Sequence, residues 1–137
     1  MWIQRAMGTV HTALLRVSGG RVGRSFRGAP VLLLTTTGRK TGQERTIPLM
    51  YVEHDGGWAI VGSNGGRDSH PAWVHNLRAK PSATVTVGGK THDVRADFTD
   101  DTTRAQLWPR FTAMYTGYDG YEKATDRKIE IVVLRPT

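Results

Sequence analysis

Cysteine is absent from the 137 residues, which excludes disulfide staples, thiolate metal ligation and a thiol nucleophile. A chain with no need of oxidation suits a reducing compartment, so a cytoplasmic location is expected. No stretch approaches the roughly 20 consecutive apolar residues that a membrane-spanning helix requires, and the N-terminus has no continuous hydrophobic signal core. Internal repeats and low-complexity tracts are missing, and the length suits one domain. Catalytic signatures are equally scarce. No Gly-x-Ser-x-Gly elbow occurs and no pair of carboxylates stands out. The five histidines show no metal-ligand spacing, because His70 and His75 lie five apart, whereas four would align them on a helix face. A side-chain nucleophile is therefore not expected, and any reaction draws its chemistry from a bound cofactor.

Acidic residues are missing from one end of the chain. Residues 1–30 contain Arg5, Arg16, Arg21, Arg24 and Arg27 with no Asp or Glu, and residues 31–50 add Arg39, Lys40 and Arg45 against Glu44 alone. These segments carry the whole formal charge of +7, since residues 51–137 hold 11 basic and 11 acidic side chains. An anionic partner is the natural complement of such asymmetry. Aromatics are not interleaved with the N-terminal arginines as a single-strand platform requires, so no nucleic acid is expected.

Ile3, Met7, Val10, Leu14 and Val17 recur at spacings of three and four, which predicts an amphipathic helix over 2–17 that either packs on the domain or lies on a membrane surface as a peripheral contact. Residues 18–28 read as a flexible basic linker. The division expected is thus residues 1–30, helix and linker, followed by a folded domain over 31–137. From Val31 the pattern turns to strands over 31–37 and 44–53 around the Gly38–Gly42 turn, then Trp58–Gly62, then a hairpin of 83–87 and 91–98 about Gly88-Gly89. Ser69 is placed to cap a short helix, Thr99 and the aspartates after it suit a second helix start, Pro109 should kink or interrupt that helix, and 129–134 closes as a strand. Turns this short cannot carry parallel crossovers, so the fold expected is a mainly β (α+β) antiparallel barrel or strongly curled sheet.

Gly38-Arg39-Lys40-Thr41 superficially looks like a phosphate loop, but it lacks the glycine before lysine and precedes a strand where a helix is required, which excludes a nucleoside triphosphatase. What remains is a turn with hydroxyls, N–H groups and cations suited to phosphate or carboxylate oxygens, or simply a solvated hairpin tip. Gly62-Ser63-Asn64-Gly65-Gly66 could let backbone approach a flat ligand, or merely connect. Asn76 could meet polar ring edges or its own loop. Tyr115, Tyr118 and Tyr121, three apart, share one face of a helical or tight-turn segment, as core or as pocket.

Leu34–Gln43, Pro48-Leu49, Gly62–Gly66, His70-Pro-Ala-Trp-Val-His-Asn-Leu77 and the Tyr115 region ending in Thr125-Asp126-Arg127 together resemble the F420-dependent (deazaflavin-dependent) nitroreductase family, in the right order from about Val31 to Leu134. The resemblance implies a split β-barrel of the FMN-binding-like kind and coenzyme F420, an 8-hydroxy-5-deazaflavin with a phospholactyl polyglutamate tail. It implies that Arg39, Lys40, Thr41 and Arg45 hold the anionic tail, with the N-terminal arginines as outer partners. Thr46, Ile47, Pro48, Leu49, Met50, Gly62, Ser63, Asn64, Ala72, Trp73, Val74, His75 and Asn76 would surround the ring and linker. Substrate would sit near Tyr115, Tyr118 and Tyr121, with Tyr118 donating a hydrogen bond to the acceptor oxygen and water a proton source. Asn64 stands where many relatives have lysine, and Met50 where an aromatic residue is common. The function implied is transfer of a hydride from reduced deazaflavin C5 to a small-molecule acceptor such as a quinone, an enone or a nitro compound. The rival readings are a split-barrel protein holding FMN or haem, a deazaflavin carrier without catalysis, and a nucleic-acid or anionic-membrane binder that uses the basic N-terminal region. Oligomeric state is left open.

Overall fold

The computed structural model of the protein describes residues 25–26 and 29–137; the helix expected over 2–17 and most of the linker lie outside them. Eight strands, β1 (Ser25–Phe26), β2 (Ala29–Thr37), β3 (Glu44–Met50), β4 (Val52–His54), β5 (Gly57–Val61), β6 (Ser82–Val87), β7 (Lys90–Phe98) and β8 (Ile131–Pro136), accompany three helices, α1 (Ala72–Ala79), α2 (Asp101–Met114) and α3 (Gly117–Ala124). Every pairing among them is antiparallel, in the order β1-β2-β6-β7-β8-β5-β4, with β3 beside β2. This is the curled antiparallel sheet the turn spacing predicts.

Two elements differ usefully from that reading. The stretch 44–53 is two strands rather than one. Tyr51 breaks it, its N–H bonding Pro30 O at 3.2 Å, because the chain there leaves its pairing with β2 and crosses to pair with β5. Part of the expected linker is also strand, since Ser25 and Phe26 pair with Pro30 and Ala29. The consequence of the corner at Tyr51 is a seam: β3 approaches β5 without pairing to it, and the half-barrel stays open there. Pro48, which has no N–H to donate, sits on the edge strand β3, where that loss is harmless.

Alternation along the strands builds two cores. Inward, Leu32, Leu34, Ile60, Val85, Val94, Val132 and Leu134 meet Trp73, Val74 and Leu77 of α1, which plugs the barrel. Outward, Ala59, Val61, Ile131 and Val133 lie under Leu107 and Phe111 of α2 and Tyr118 of α3. Covering both faces is why 131–134 reads as an unbroken apolar run.

Helix starts and stops correct the sequence reading in detail. Pro71, with no side-chain cap, precedes α1; Ser69 instead receives the Asn64 carboxamide N–H on its backbone oxygen at 3.0 Å. Asp100 caps α2 by accepting the Thr103 N–H at 2.7 Å. That helix runs unbroken through Pro109. The proline costs about 3 kcal/mol, whereas burying Leu107 and Phe111 on either side of it contributes about 1.5–3 kcal/mol each, and both are essentially inaccessible, at 2% and 0% exposure. Tertiary burial outweighs the local penalty. The last strand runs 131–136 rather than 129–134, extended by Arg135, which bonds Asp97 at 3.0 Å and Asp55 at 2.9 Å.

Candidate functional site

The open seam is continued as a groove of three adjoining chambers. At one end a cavity of about 550 Å³ is lined by Val31, Pro48, Leu49, Met50, Val61, Ser63, Gly65 and the tyrosines 115, 118 and 121. A middle chamber of about 430 Å³ shares Leu49, Val61, Ser63 and Gly65 with it and adds Ile47, Asn64, Arg67, Pro71 and Trp73. The far chamber, about 340 Å³, shares Ile47, Asn64, Pro71 and Trp73 and ends at Thr36, Arg45, His70, Ala72 and Asn76. No carboxylate lines any of the three among the described residues. The groove therefore runs from an apolar, aromatic end to a cationic, polar one.

The aromatic end is built by the junction of α2 and α3. Tyr115 ends α2, and Tyr118 and Tyr121 lie one and two turns further, on α3. Their rings meet edge-on, Tyr115 and Tyr118 at 5.1 Å and Tyr118 and Tyr121 at 6.0 Å between centroids, and the hydroxyls of Tyr115 and Tyr121 are 3.2 Å apart. Tyr115 can fold back this far only because residue 117 is glycine, where a Cβ would stand 2.6 Å from the phenolic oxygen. Tyr118 packs on Phe111 at 6.0 Å and is 5% exposed. Burial, reinforced by its two tyrosine neighbours, pushes its phenol up to about 12, so it remains protonated throughout the neutral range. Both readings of the tyrosine row are thus met at once: Tyr118 belongs to the outer core and also lines the cavity.

The wall between the chambers is the turn Asn64–Gly66, a left-handed stretch with φ of 48, 64 and 79°. Its glycines are not equivalent. Gly66 lies against α3, where a Cβ would stand 3.0 Å from the Tyr121 Cα. Gly62 lies behind the groove, its N–H bonded to Glu130 O at 2.8 Å and its Cα against Val74, so it offers a ligand no donor. Gly65 alone faces open space. Arg127 ties the turn down, donating from Nη2 to Ser63 O at 2.8 Å and from Nε to Arg67 O at 2.9 Å.

At the polar end the Gly38–Gly42 turn differs from an anion nest. Gly38 N–H bonds Gln43 O at 2.7 Å, Gly42 N–H bonds Gly38 O at 2.8 Å, and the Thr41 hydroxyl accepts the Gln43 N–H at 3.2 Å. Arg39 N–H is held by Asn76 Oδ1 at 3.0 Å, while Asn76 Nδ2 donates to Thr36 Oγ1 at 3.1 Å. The Gly38, Arg39 and Gly42 backbone donors are committed within the fold, so the capacity left to the turn is the charge of Arg39 and Lys40 with the Lys40 and Thr41 N–H groups. Asn76, 5% exposed, is the rivet that sets this turn against α1 at the groove's end.

Of the residues expected to surround a ligand, Arg45, Ile47, Pro48, Leu49, Met50, Ser63, Asn64, Ala72, Trp73 and Asn76 line the groove. Arg39, Lys40 and Thr41 stand exposed on the adjoining turn. Thr46 bonds Thr35 across the strand pair at 2.7 Å, Val74 is wholly buried in the inner core, and His75 packs edge-on to His70 at 5.7 Å. Residues that sequence reasoning did not assign to the site include Val31, Val61, His70 and Arg127. Val31 and Val61 carry no signal beyond apolar strand pattern, and Arg127 lies 64 residues from Ser63, a pairing no local spacing announces.

A curled antiparallel sheet left open along one seam, with that seam kept as an elongated groove, defines a split β-barrel binding fold. The family described as F420H(2)-dependent quinone reductase matches residues 7–136, and the chain belongs to that family, which makes it an F420-dependent oxidoreductase. It is 38% identical over 141 residues to an F420H(2)-dependent quinone reductase of Mycobacterium tuberculosis, an alignment covering 97% of this chain and 95% of the relative. Among solved structures, the F420-H2 dependent reductase FDR-A superposes with a TM-score of 0.70 at 37% identity, covering 77% of this chain and 94% of that one. HutZ, the haem storage protein of Vibrio cholerae, shares the fold at a TM-score of 0.62 and 15% identity, covering 89% of this chain and 88% of that one.

Proposed function

We propose that this chain reduces a quinone-like acceptor with reduced coenzyme F420, the deazaflavin lying in the seam groove with its acidic tail toward Arg45 and its ring toward the tyrosines. The folded domain that does this is the expected 31–137 extended back to include the β1–β2 hairpin from residue 25. The single observation that carries the reading is the polarity of the groove. Its cations Arg45 and Arg67 and its lack of lining carboxylates suit an anionic tail, and the apolar side chains of Ile47, Leu49, Val61 and Trp73 suit a flat ring. Arg45 holds the tail from inside the groove, with Arg39 and Lys40 as outer charges. Leu49, Val61 and Trp73, which line the middle chamber, would border the ring, and Gly65, with open space beside it, would allow close approach there.

When bound, the reduced deazaflavin supplies a hydride from C5. The protein's contribution is placement and exclusion of water. Residues that hold the tail and ring would restrict how an acceptor meets the cofactor, which is the placement such a reaction needs. Met50, Pro48 and Val31 give the acceptor chamber apolar walls that suit a neutral, flat molecule. Tyr118 keeps its proton and donates a hydrogen bond to the acceptor oxygen as negative charge grows there, while Tyr115 and Tyr121 shape the chamber. Contact of residues 2–17 with a membrane surface would give the protein access to a lipid-soluble acceptor. No helix among the described residues is long and apolar enough to cross a membrane.

Titration of the full chain with oxidised deazaflavin, FMN and haem in parallel, followed by absorbance and fluorescence, tests the reading. Deazaflavin alone should bind tightly, and the reduced form should be reoxidised only when a quinone is added. Arg45→Ala should weaken deazaflavin affinity by about 1.5–3 kcal/mol, the range for a hydrogen bond to a charged group, with smaller losses for Arg39→Ala and Lys40→Ala. Unchanged affinity in all three variants would reject the tail site. Binding without acceptor-dependent reoxidation would identify a carrier instead.

A further inference from the structure

We propose that Arg127 is a positioning residue of the groove, latching the Asn64–Gly66 wall in place and holding His70 as a neutral ring whose proton sits on Nε2. The consequence for affinity rests on the deazaflavin reading; the arrangement itself belongs to the protein without ligand.

The geometry joins two segments distant in sequence, 63–70 and 125–127. Arg127 donates to Ser63 O at 2.8 Å and to Arg67 O at 2.9 Å, one oxygen on each side of the left-handed turn, and its Nη1 faces His70 Nδ1 at 3.4 Å. A second tie, Thr125 Oγ1 to Asp68 Oδ1 at 2.9 Å, secures the same two segments. Consecutive positive φ angles, one of them at Asn64, persist only where the surroundings hold them. The guanidinium supplies that hold, because its planar fork reaches both carbonyl oxygens and His70 at once. A lysine, as a single point charge, cannot do so.

The chemistry at His70 follows from donor and acceptor identity. A guanidinium has donors only, so the imidazole nitrogen facing it must accept and carries no proton. His70 lines the polar chamber that also holds Arg45 and Asn76, and its remaining donor is Nε2–H. The charged and titratable groups around it are Arg127, Glu130, His75 and Arg78. Burial first, then Arg127, lowers its pKa, with Glu130 opposing and His75 and Arg78 adding to the lowering. His70 thus stays neutral further into acid than an ordinary histidine, and the groove keeps a fixed N–H donor beside its cations.

Long-range proton–nitrogen NMR spectra of the histidines, recorded on the ligand-free chain between about pH 5 and 8, read this directly, with His70→Gln supplying the assignment. The wild-type chain should show His70 as the Nε2–H tautomer, protonating below the ordinary 6.5. In Arg127→Gln the tautomers should mix and the midpoint should rise. Deazaflavin affinity should fall roughly tenfold in Arg127→Gln and in Arg127→Lys, which keeps the charge and loses the fork. A wild-type His70 protonated on Nδ1, or spectra and affinity unchanged in the variants, would overturn the proposal. Should Arg127→Gln not fold, Arg127→Lys decides. Failure of the wild-type chain to bind deazaflavin would remove the cofactor reading, while the His70 spectra would still decide the latch.

Discussion

Tyr118 shows most plainly how one residue serves both packing and chemistry. It is buried against Phe111 and bordered by Tyr115 and Tyr121, yet it lines the largest chamber. Tyr118→Phe keeps the ring and removes the proton, so turnover with a quinone should drop while deazaflavin affinity holds. Stopped-flow oxidation rates beside a binding titration separate the two effects, and full retained turnover would end the donor role. The same residue predicts an alkaline limit on stability. Its folded pKa lies near 12 against 10.0 for the free phenol, so the protonated form is favoured by folding. That contribution is complete below about pH 10 and lost as pH rises through about 12. Chemical denaturation over this window should show a smaller loss of stability in Tyr118→Phe than in the wild type.

Glycine placement governs the elements. The run 62–66 reads in sequence as one flexible connection, but Gly62 is demanded by helix α1, Gly66 by helix α3, and Gly65 only by its left-handed φ of 64°. Gly66→Ala adds the strain of a left-handed residue and a contact with the Tyr121 backbone. It should destabilise by more than the roughly 1 kcal/mol that the conformation alone costs at Gly65→Ala. Thermal melts followed by circular dichroism measure this, and equal melting temperatures would contradict the packing of turn on α3. Helix α2 teaches a related lesson. Its proline argued for a kink or an interruption, and the two large side chains beside that proline kept the helix uninterrupted by packing on β5 and β8. Local propensity was legible at Asp100, where the cap is a matter of three residues, and misleading at Ser69, because the helix starts two residues later, after Pro71.

On the scale of the whole molecule, the seam depends on two separate cores. Residues of α1 fill the barrel, and α2 with α3 cover the outer face, so the tyrosine end is mounted on the outer core. Phe111→Ala should cost about 3–5 kcal/mol in urea unfolding and loosen the tyrosines without touching Arg45. Turnover per folded molecule should then fall more than deazaflavin affinity does, and a parallel fall in both would mean that the two ends of the groove are not independently supported.

Alternation, turn spacing and charge were readable in the linear chain, because each depends on neighbours within a few residues. They account for the antiparallel hairpins, the apolar face of each strand, the confinement of net charge to the first fifty residues and the motifs that mark the family. The joining of those motifs into one groove depended on folding. The corner at Tyr51 opens the seam, Asn76 rivets a turn 37 residues away, and Arg127 latches a wall 64 residues away. Such contacts follow from how two packed faces meet in space, and no periodicity along a single chain records that meeting.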